Sequence, residues 1–374
     1  MPSNGRFVDC WIVGVNEMQA YRTAIATQGD SFLINGELTY VGQRYQGRVA
    51  EGLLFNTRMV QGIFDDLNPE TRHQWDYPED APGGAGPWDP DRNTNEFVAA
   101  MPLWREAGVL SFTINLQGGN PRGYGKDQPW HNSAFTGDGE LRAAYMARLR
   151  QILDAADVLG MVPIVGYFYF GQDQRLADEQ SVIRAVDNAT DWLLDCEYAN
   201  LLIEVGNEVD HRKYDHAILR ADRCHELIER VQRRSQGKVA TPKGRLLVST
   251  SLCGGVVPPE NLVAASDFLL LHGNGVGEQD RIREMVDQTR QVNGYHGQPI
   301  LFNEDDHFDF EAEDNNLLAA LDRHASWGYF DYRMTGEGHD SGYQSVPVNW
   351  DISSERKQGF FSLVTAITGT AAGG

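Results

Sequence analysis

From Glu51 onward, short and nearly continuous apolar runs alternate with longer stretches whose apolar positions recur at helical spacing. The runs fall at 52–60, 108–116, 161–168, 200–206, 245–251, 267–272, 298–303 and 327–333. Apolar runs of this length, bounded by turn residues, read as strands buried on both faces, as in a parallel sheet. Between them lie amphipathic stretches at 95–107, 139–159, 178–195, 214–235, 281–293 and 315–326, a short one near 258–265 and a closing one at 355–368. In 139–159 the pattern is explicit, with Leu141, Ala144, Tyr145, Leu149, Ile152 and Ala156 on one helical face. Eight strands, each followed by a helix, predict a (β/α)8 (TIM) barrel whose functional groups sit on the loops at the strands' C-terminal ends. An open doubly wound sheet would want a glycine-rich phosphate turn after its first strand. Asn56-Thr57-Arg58-Met59-Val60 supplies none.

Residues 1–50 have a different rhythm, with strand-like runs at 9–15 and 31–40 and an Asn35-Gly36 pair that marks a tight hairpin. They predict a small antiparallel preamble that plugs the bottom of the barrel or packs on its side. No repeat, Gly/Ser linker or low-complexity segment interrupts 51–374, so one barrel domain with that preamble is expected.

The chain has 374 residues, 41% of them hydrophobic and 23% charged, which is ample for one large core. Its net charge of −21 argues against a nucleic-acid partner, since phosphate binding relies on clustered Lys and Arg. Only Arg58, Arg122 and Lys126 stand out as a basic pocket. No apolar run approaches a membrane span. The first residues lack a basic region followed by an apolar core, so a cytoplasmic location is expected unless a leader has been removed. Cys10, Cys196, Cys224 and Cys253 are scattered without metal-site spacing and are expected as free thiols.

Two strands end on a glutamate. The run 200–208 places Leu202, Glu204, Gly206 and Glu208 on one face and puts Glu208 at the strand tip after Asn207. A bland reading has Glu208 merely opening the next helix, where its charge suits the dipole. The seventh run, however, ends the same way, in Phe302-Asn303-Glu304. Strands four and seven lie on roughly opposite sides of a barrel mouth, so the two carboxylates can face each other across a substrate. About 5–5.5 Å between such groups suits retaining glycoside hydrolysis and about 6.5–9.5 Å suits inversion. Glu204, deeper in the barrel, reads as structural.

The segment Glu204-Val205-Gly206-Asn207-Glu208 resembles the E-x-x-N-E signature that ends strand four in the clan A glycoside hydrolases, and Pro299-Ile300-Leu301-Phe302-Asn303-Glu304 resembles their strand-seven nucleophile segment. The likeness runs from Glu51 to about Phe361. It departs at Val209, where a proline is frequent, and at Asp305 and Asp306, where a glycine is frequent. It implies a retaining mechanism on a β-linked glycan, with Glu208 as acid/base, Glu304 as nucleophile and Asn207 on the sugar 2-hydroxyl. It further implies that Arg58 orients Glu304, that His272 sits beside the nucleophile, and that Trp350 floors the subsite of the attacked sugar. No cofactor or metal is called for, and the acidic balance favours a neutral glycan.

Gln117, Tyr167 and Tyr169 are placed to line the mouth, although strand alternation forbids all three from pointing inward. The loops 61–94 and 117–138 carry Trp75, Tyr77, Trp88, Tyr124 and Trp130, which either form a sugar-stacking platform or pack the loops onto the barrel. Two alternatives stand beside the glycosidase: a catalytically silent carbohydrate-binding barrel, and a metal-dependent hydrolase using the acidic cluster at 305–314.

Overall fold

The computed structural model describes residues 23–124 and 127–370. The run at 9–15, Cys10 and Lys126 lie outside the described residues. Eight parallel strands form the centre: β1 (Asn56–Arg58), β2 (Ser111–Asn115), β3 (Val162–Tyr169), β4 (Leu202–Asn207), β5 (Leu247–Ser249), β6 (Leu269–His272), β7 (Ile300–Glu304) and β8 (Gly328–Tyr329). Strands β5-β4-β3-β2-β1-β8 form one continuous ladder and β6-β7 a second. Bridges from Leu301 to Ser326 and from Asp305 to Tyr329 join β7 to β8. The other seam is closed where Asp267 N donates to Val248 O at 2.9 Å. Among the described residues the eight α-helices are α1 (Pro90–Glu106), α2 (Ala143–Leu159), α3 (Glu179–Asp195), α4 (His225–Ser235), α5 (Glu260–Ala265), α6 (Gln279–Gln291), α7 (Asn316–Asp322) and α8 (Glu355–Thr368). This is the (β/α)8 barrel predicted from the alternation.

The strands alternate as their pattern demands. Leu201, Ile203 and Val205 face the helices, whereas Leu202 joins Leu54, Leu110, Ile164, Leu247, Leu270 and Leu301 in the floor of the barrel interior. Ile25 and Phe32 complete that floor. They come from the antiparallel strands Ile25–Gln28 and Ser31–Ile34, followed by the short strand Glu37–Leu38. Asn35 and Gly36 make the turn between the last two with φ of +55° and +83°, the two left-handed residues a tight hairpin needs.

Two predicted boundaries shift for visible reasons. Helix α1 starts at Pro90, capped by the Asp89 carboxylate on the N–H groups of Asp91 and Arg92. The stretch 214–235 is helical only from His225, because Tyr214 is drawn into the core and its hydroxyl donates to Asn207 O at 2.6 Å. The apolar residues Ile218 and Leu219 belong to a buried loop with a single 3-10 turn at Ala217–Leu219.

Candidate active site

Strand β4 delivers Glu208 to the mouth, and the backbone there is held in an unusual state. Glu208 has φ of +51°, a left-handed conformation that costs a non-glycine residue on the order of 1–3 kcal/mol. Three hydrogen bonds hold the turn: Glu208 N to Ser251 Oγ at 3.0 Å, Val209 N to Ser251 O at 3.0 Å, and His211 N to Glu208 O at 2.8 Å. The Ser251 hydroxyl also donates to Glu204 Oε1 at 2.5 Å, so the deep carboxylate expected to be structural is tied to the Glu208 turn through one serine.

Strand β7 delivers Glu304. Its pairing with β6 slips by one residue, so that Leu271 faces Phe302 and His272 faces Glu304, with Asn303 left between. This bulge re-aims Glu304 towards the mouth beside His272. Arg58, buried at the end of β1, forms an ion pair with Glu304, its Nε 2.8 Å from Oε2, and donates from Nη2 to Asn207 Oδ1 at 3.0 Å. Asn274 Nδ2 donates to Glu304 Oε1 at 2.5 Å. His272 Nδ1 stands 3.1 Å from Glu208 Oε1 and 3.7 Å from Glu304 Oε2. One oxygen of each carboxylate and a ring nitrogen of His272 all lie within 4.8 Å of one another.

The charges explain one another. Burial, aided by the neighbouring Glu208 charge, leaves the Glu304 carboxyl above its ordinary value, although the Arg58 and His272 cations and the Asn274 amide favour its anion. For Glu208, burial likewise pushes up, but the hydrogen bond and charge of His272 outweigh it and set the carboxyl below its ordinary value. Burial alone would depress His272, whereas the Glu304 charge and the Glu208 hydrogen bond raise it. The two directions favour an ion pair between the Glu208 carboxylate and a protonated His272 ring, with one proton lying on the bond between them. Moving it along their bond makes a neutral imidazole and a carboxylic acid without changing the charge of the site.

The mouth holds a cavity of about 410 Å³ lined by both glutamates. Tyr169, at the end of β3, lines it, together with Tyr124, Phe170, Phe330, Asn120, Gln344, His211 and Lys213. Arg58, Asn207 and His272 pack directly behind the two acids.

Three expected lining residues are elsewhere. Gln117 is fully buried, donating to Ser133 Oγ at 3.1 Å and Gln172 O at 3.2 Å behind the strand end. Trp130 packs edge-on against Trp75 with centroids 5.8 Å apart, under the rim. Trp350 turns away from the mouth: its indole N–H reaches Asn93 Oδ1 at 3.1 Å and its ring packs on Phe97 and Tyr343. Each of these side chains found a partner beneath or behind the rim, and the cavity is lined without them. Tyr167 also points outward, its hydroxyl 3.2 Å from Thr190 Oγ1.

Of the loop aromatics, Trp75, Tyr77, Trp88 and Trp130 pack the loops onto the barrel, and Tyr124 alone of the five faces the cavity. Phe330, Gln344, His211, Lys213, Asn274 and Ser251 were not singled out from the sequence. Phe330 could have been found as the first residue past β8, and Asn274 by its place two residues beyond His272.

Among the described residues two groups offer metal-ligand atoms, Glu208 with His272 and Glu304, and Asp305 with Asp306 and His307. In the first, the Arg58 guanidinium already occupies the Glu304 oxygen facing it, which disfavours a second cation. In the second, Asp305 is saturated by donors from Trp327, Asn316 and His307, at 3.0, 3.0 and 2.7 Å. Among the described residues Cys196, Cys224 and Cys253 are free thiols, and no helix is long and apolar enough to cross a membrane.

No protein-family model and no curated protein matches the sequence. Solved structures do resemble the fold. A GH5-4 broad specificity endoglucanase from Bacteroides salanitronis is similar with a TM-score of 0.52 at 12% identity, over 84% of this chain and 92% of that one. A glycoside hydrolase family 5 mannosidase from Rhizomucor miehei is similar with a TM-score of 0.52 at 11% identity, over 94% and 99%. A GH5-4 broad specificity endoglucanase from Clostridium longisporum gives a TM-score of 0.52 at 10% identity, over 84% and 96%. At such identities the likeness establishes the fold: this chain is built as the (β/α)8 barrel that these glycoside hydrolases share.

Proposed function

We propose that the chain is a retaining glycoside hydrolase acting on a β-linked, neutral glycan. The observation that carries this reading is the carboxylate pair: oxygens of Glu208 and Glu304 within 4.8 Å of each other, each on the tip of a different strand. That spacing leaves no room for a water between acid and sugar face, and it belongs with double displacement rather than inversion. The similar endoglucanases and mannosidase agree with the reading.

In the first step a Glu304 oxygen attacks the anomeric carbon and the bond from that carbon to the leaving oxygen breaks. The Glu208 proton goes to that oxygen, so the aglycone departs as an alcohol. In the second step Glu208, now a carboxylate, takes a proton from water as the water oxygen attacks the same carbon. The ester bond to Glu304 breaks, returning both acids to their starting states. Arg58 and Asn274 hold the nucleophile in its attacking orientation. His272 shares the proton that Glu208 must deliver. The net charge of −21 disfavours polyanionic substrates.

The test is hydrolysis of a panel of aryl β-glycosides by the wild type and by Glu208→Gln and Glu304→Gln. Glu304→Gln is expected to fall to background. Glu208→Gln is expected to lose roughly 10²–10⁴-fold with poor leaving groups, the scale of a missing general acid. Hydrolysis unchanged in either variant would sink the mechanism, and glycan binding without turnover by the wild type would favour the silent barrel.

A further inference from the structure

From the closure of one side of the mouth we infer that the site takes only the non-reducing end of a glycan and releases terminal residues one at a time. The inference rests on the hydrolase reading above.

The strands β7, β8, β1 and β2 are consecutive around the barrel. Over this sector the loop after β2 is tied to two other loops. Tyr124 OH donates to Asp306 Oδ2, just past β7, at 3.1 Å. Pro121 O accepts from Val346 N, in the segment after β8, at 2.9 Å. Between the ties, Tyr124 packs edge-on against Phe330 and Tyr332 with centroids 5.7 and 5.0 Å away, and the Gly123 backbone lies so close to the Tyr332 ring that a Cβ there would meet it at 2.5 Å. The loops after β2, β7 and β8 are thereby joined into a wall at the rim, in which Tyr124 remains 56% exposed. Asp306 is itself braced, accepting Gly275 N at 3.1 Å.

Polar groups stand inside the wall. Gln344 is buried, lines the cavity, and has an Oε1 without a hydrogen-bond partner. A buried acceptor left empty costs about 1–3 kcal/mol, and a sugar hydroxyl would satisfy it.

The opposite side of the mouth differs. There Glu208 at the end of β4, His211 and Lys213 in the following loop, and Phe170 after β3 line the cavity. The Phe170 ring stacks on the His211 ring at 3.9 Å and 16°, forming a flat surface beside the acid.

Chemistry orients the substrate between these two sides. Glu304 must reach the anomeric carbon of the attacked sugar, and Glu208 must reach the oxygen of the leaving group. The leaving group then lies on the Glu208 side, over the Phe170–His211 face. The attacked sugar lies between Glu304 and the wall, with its far hydroxyls, the non-reducing end, against Phe330, Tyr124 and Gln344. A preceding sugar would have to pass through the Tyr124–Asp306 strut. The cavity volume of about 410 Å³ is also near the low end of the ligand-pocket range of roughly 300–1,000 Å³.

The experiment follows the first product from para-nitrophenyl β-disaccharides of glucose, galactose and mannose, separated by chromatography. The same disaccharides are also offered with a benzylidene acetal across the two outermost hydroxyls of the terminal sugar. The expected first products are a free monosaccharide and the para-nitrophenyl monosaccharide, with turnover lost on the capped substrates. Tyr124→Ala and, independently, Asp306→Ala are expected to gain release of intact disaccharide. Nitrophenol with intact disaccharide as the first wild-type product, or comparable turnover of capped substrates, would overturn the inference while leaving hydrolysis standing. No turnover of any member by the wild type would contradict the hydrolase reading and this inference together.

Discussion

The proton between Glu208 and His272 decides what the site can do at a given pH. Two bases 3.1 Å apart share it, and His272, whose ring is completely buried, binds it more tightly than an ordinary histidine because Glu304 and Glu208 outweigh the cost of burial. A proton held by two bases is lost at a higher pH than either base would lose it alone. The His272→Gln variant therefore moves the basic limb of kcat/KM to lower pH, with the acid limb, set by ionisation of Glu304, still present. A pH–rate profile of the two proteins checks this, and an unmoved basic limb would show that His272 does not share the catalytic proton. At this scale the sequence was readable where chemistry is tied to a strand tip. Asn207, Glu208 and Glu304 could be placed because a carboxylate ending an apolar strand has few other uses. Arg58 and His272 were expected only from the resemblance, at the tips of strands one and six, and they lie against the acids. Trp350, Trp130 and Gln117 were not readable, because large or polar side chains just outside a strand go wherever they find a partner. Trp350 finds Asn93 at the start of α1, Gln117 finds Ser133 and Gln172, and Phe330 is left facing the cavity.

Among the elements, the β5–β6 seam gathers several donors on one buried carboxylate, that of Asp267. Asp267 accepts two hydrogen bonds from Arg245, at 2.6 and 2.8 Å, one from Lys243 at 2.7 Å and one from Val248 N at 3.0 Å. Burial pushes its carboxyl up, but the Arg245 and Lys243 bonds and charges prevail and hold it below the ordinary carboxylate value. Because the folded value is the depressed one, this stability is present above the unfolded value of about 3.9 and is lost as pH falls through the folded value. Asp267→Ala should cost about 3–5 kcal/mol, the scale of a broken buried ion pair, and should lower Tm at neutral pH while shrinking the difference from wild type in acid. Thermal unfolding at both pH values measures this; equal Tm at neutral pH would contradict it. All eight strands were legible as apolar runs, since burial on both faces leaves a simple pattern. Their ends were not, because ladders stop where a loop finds another partner, as at the β6–β7 slip that no hydrophobic pattern encodes. Helix α4 was overextended for a related reason: Tyr214, Ile218 and Leu219 are apolar because their loop is buried, not because they lie on a helical face.

For the molecule as a whole, the two ends of the barrel have separate tasks. The floor is apolar and closed by Ile25 and Phe32 from the hairpin. The mouth gathers buried Arg58, His272 and Glu304 with the partly buried Glu208 into a charge cluster whose members would each be costly alone. A fold with no need of catalysis could replace that cluster with apolar side chains of similar volume at little or no loss of stability. Its retention, with two carboxylates held close by a left-handed turn and a strand bulge, is what the hydrolase account explains. The central claim is the double displacement at Glu304. It is tested most directly by proton NMR of the first sugar released from the best aryl β-glycoside, recorded before mutarotation. The account predicts the β anomer first, with the α anomer growing in only as the product equilibrates; the α anomer appearing first would mean inversion and would contradict it.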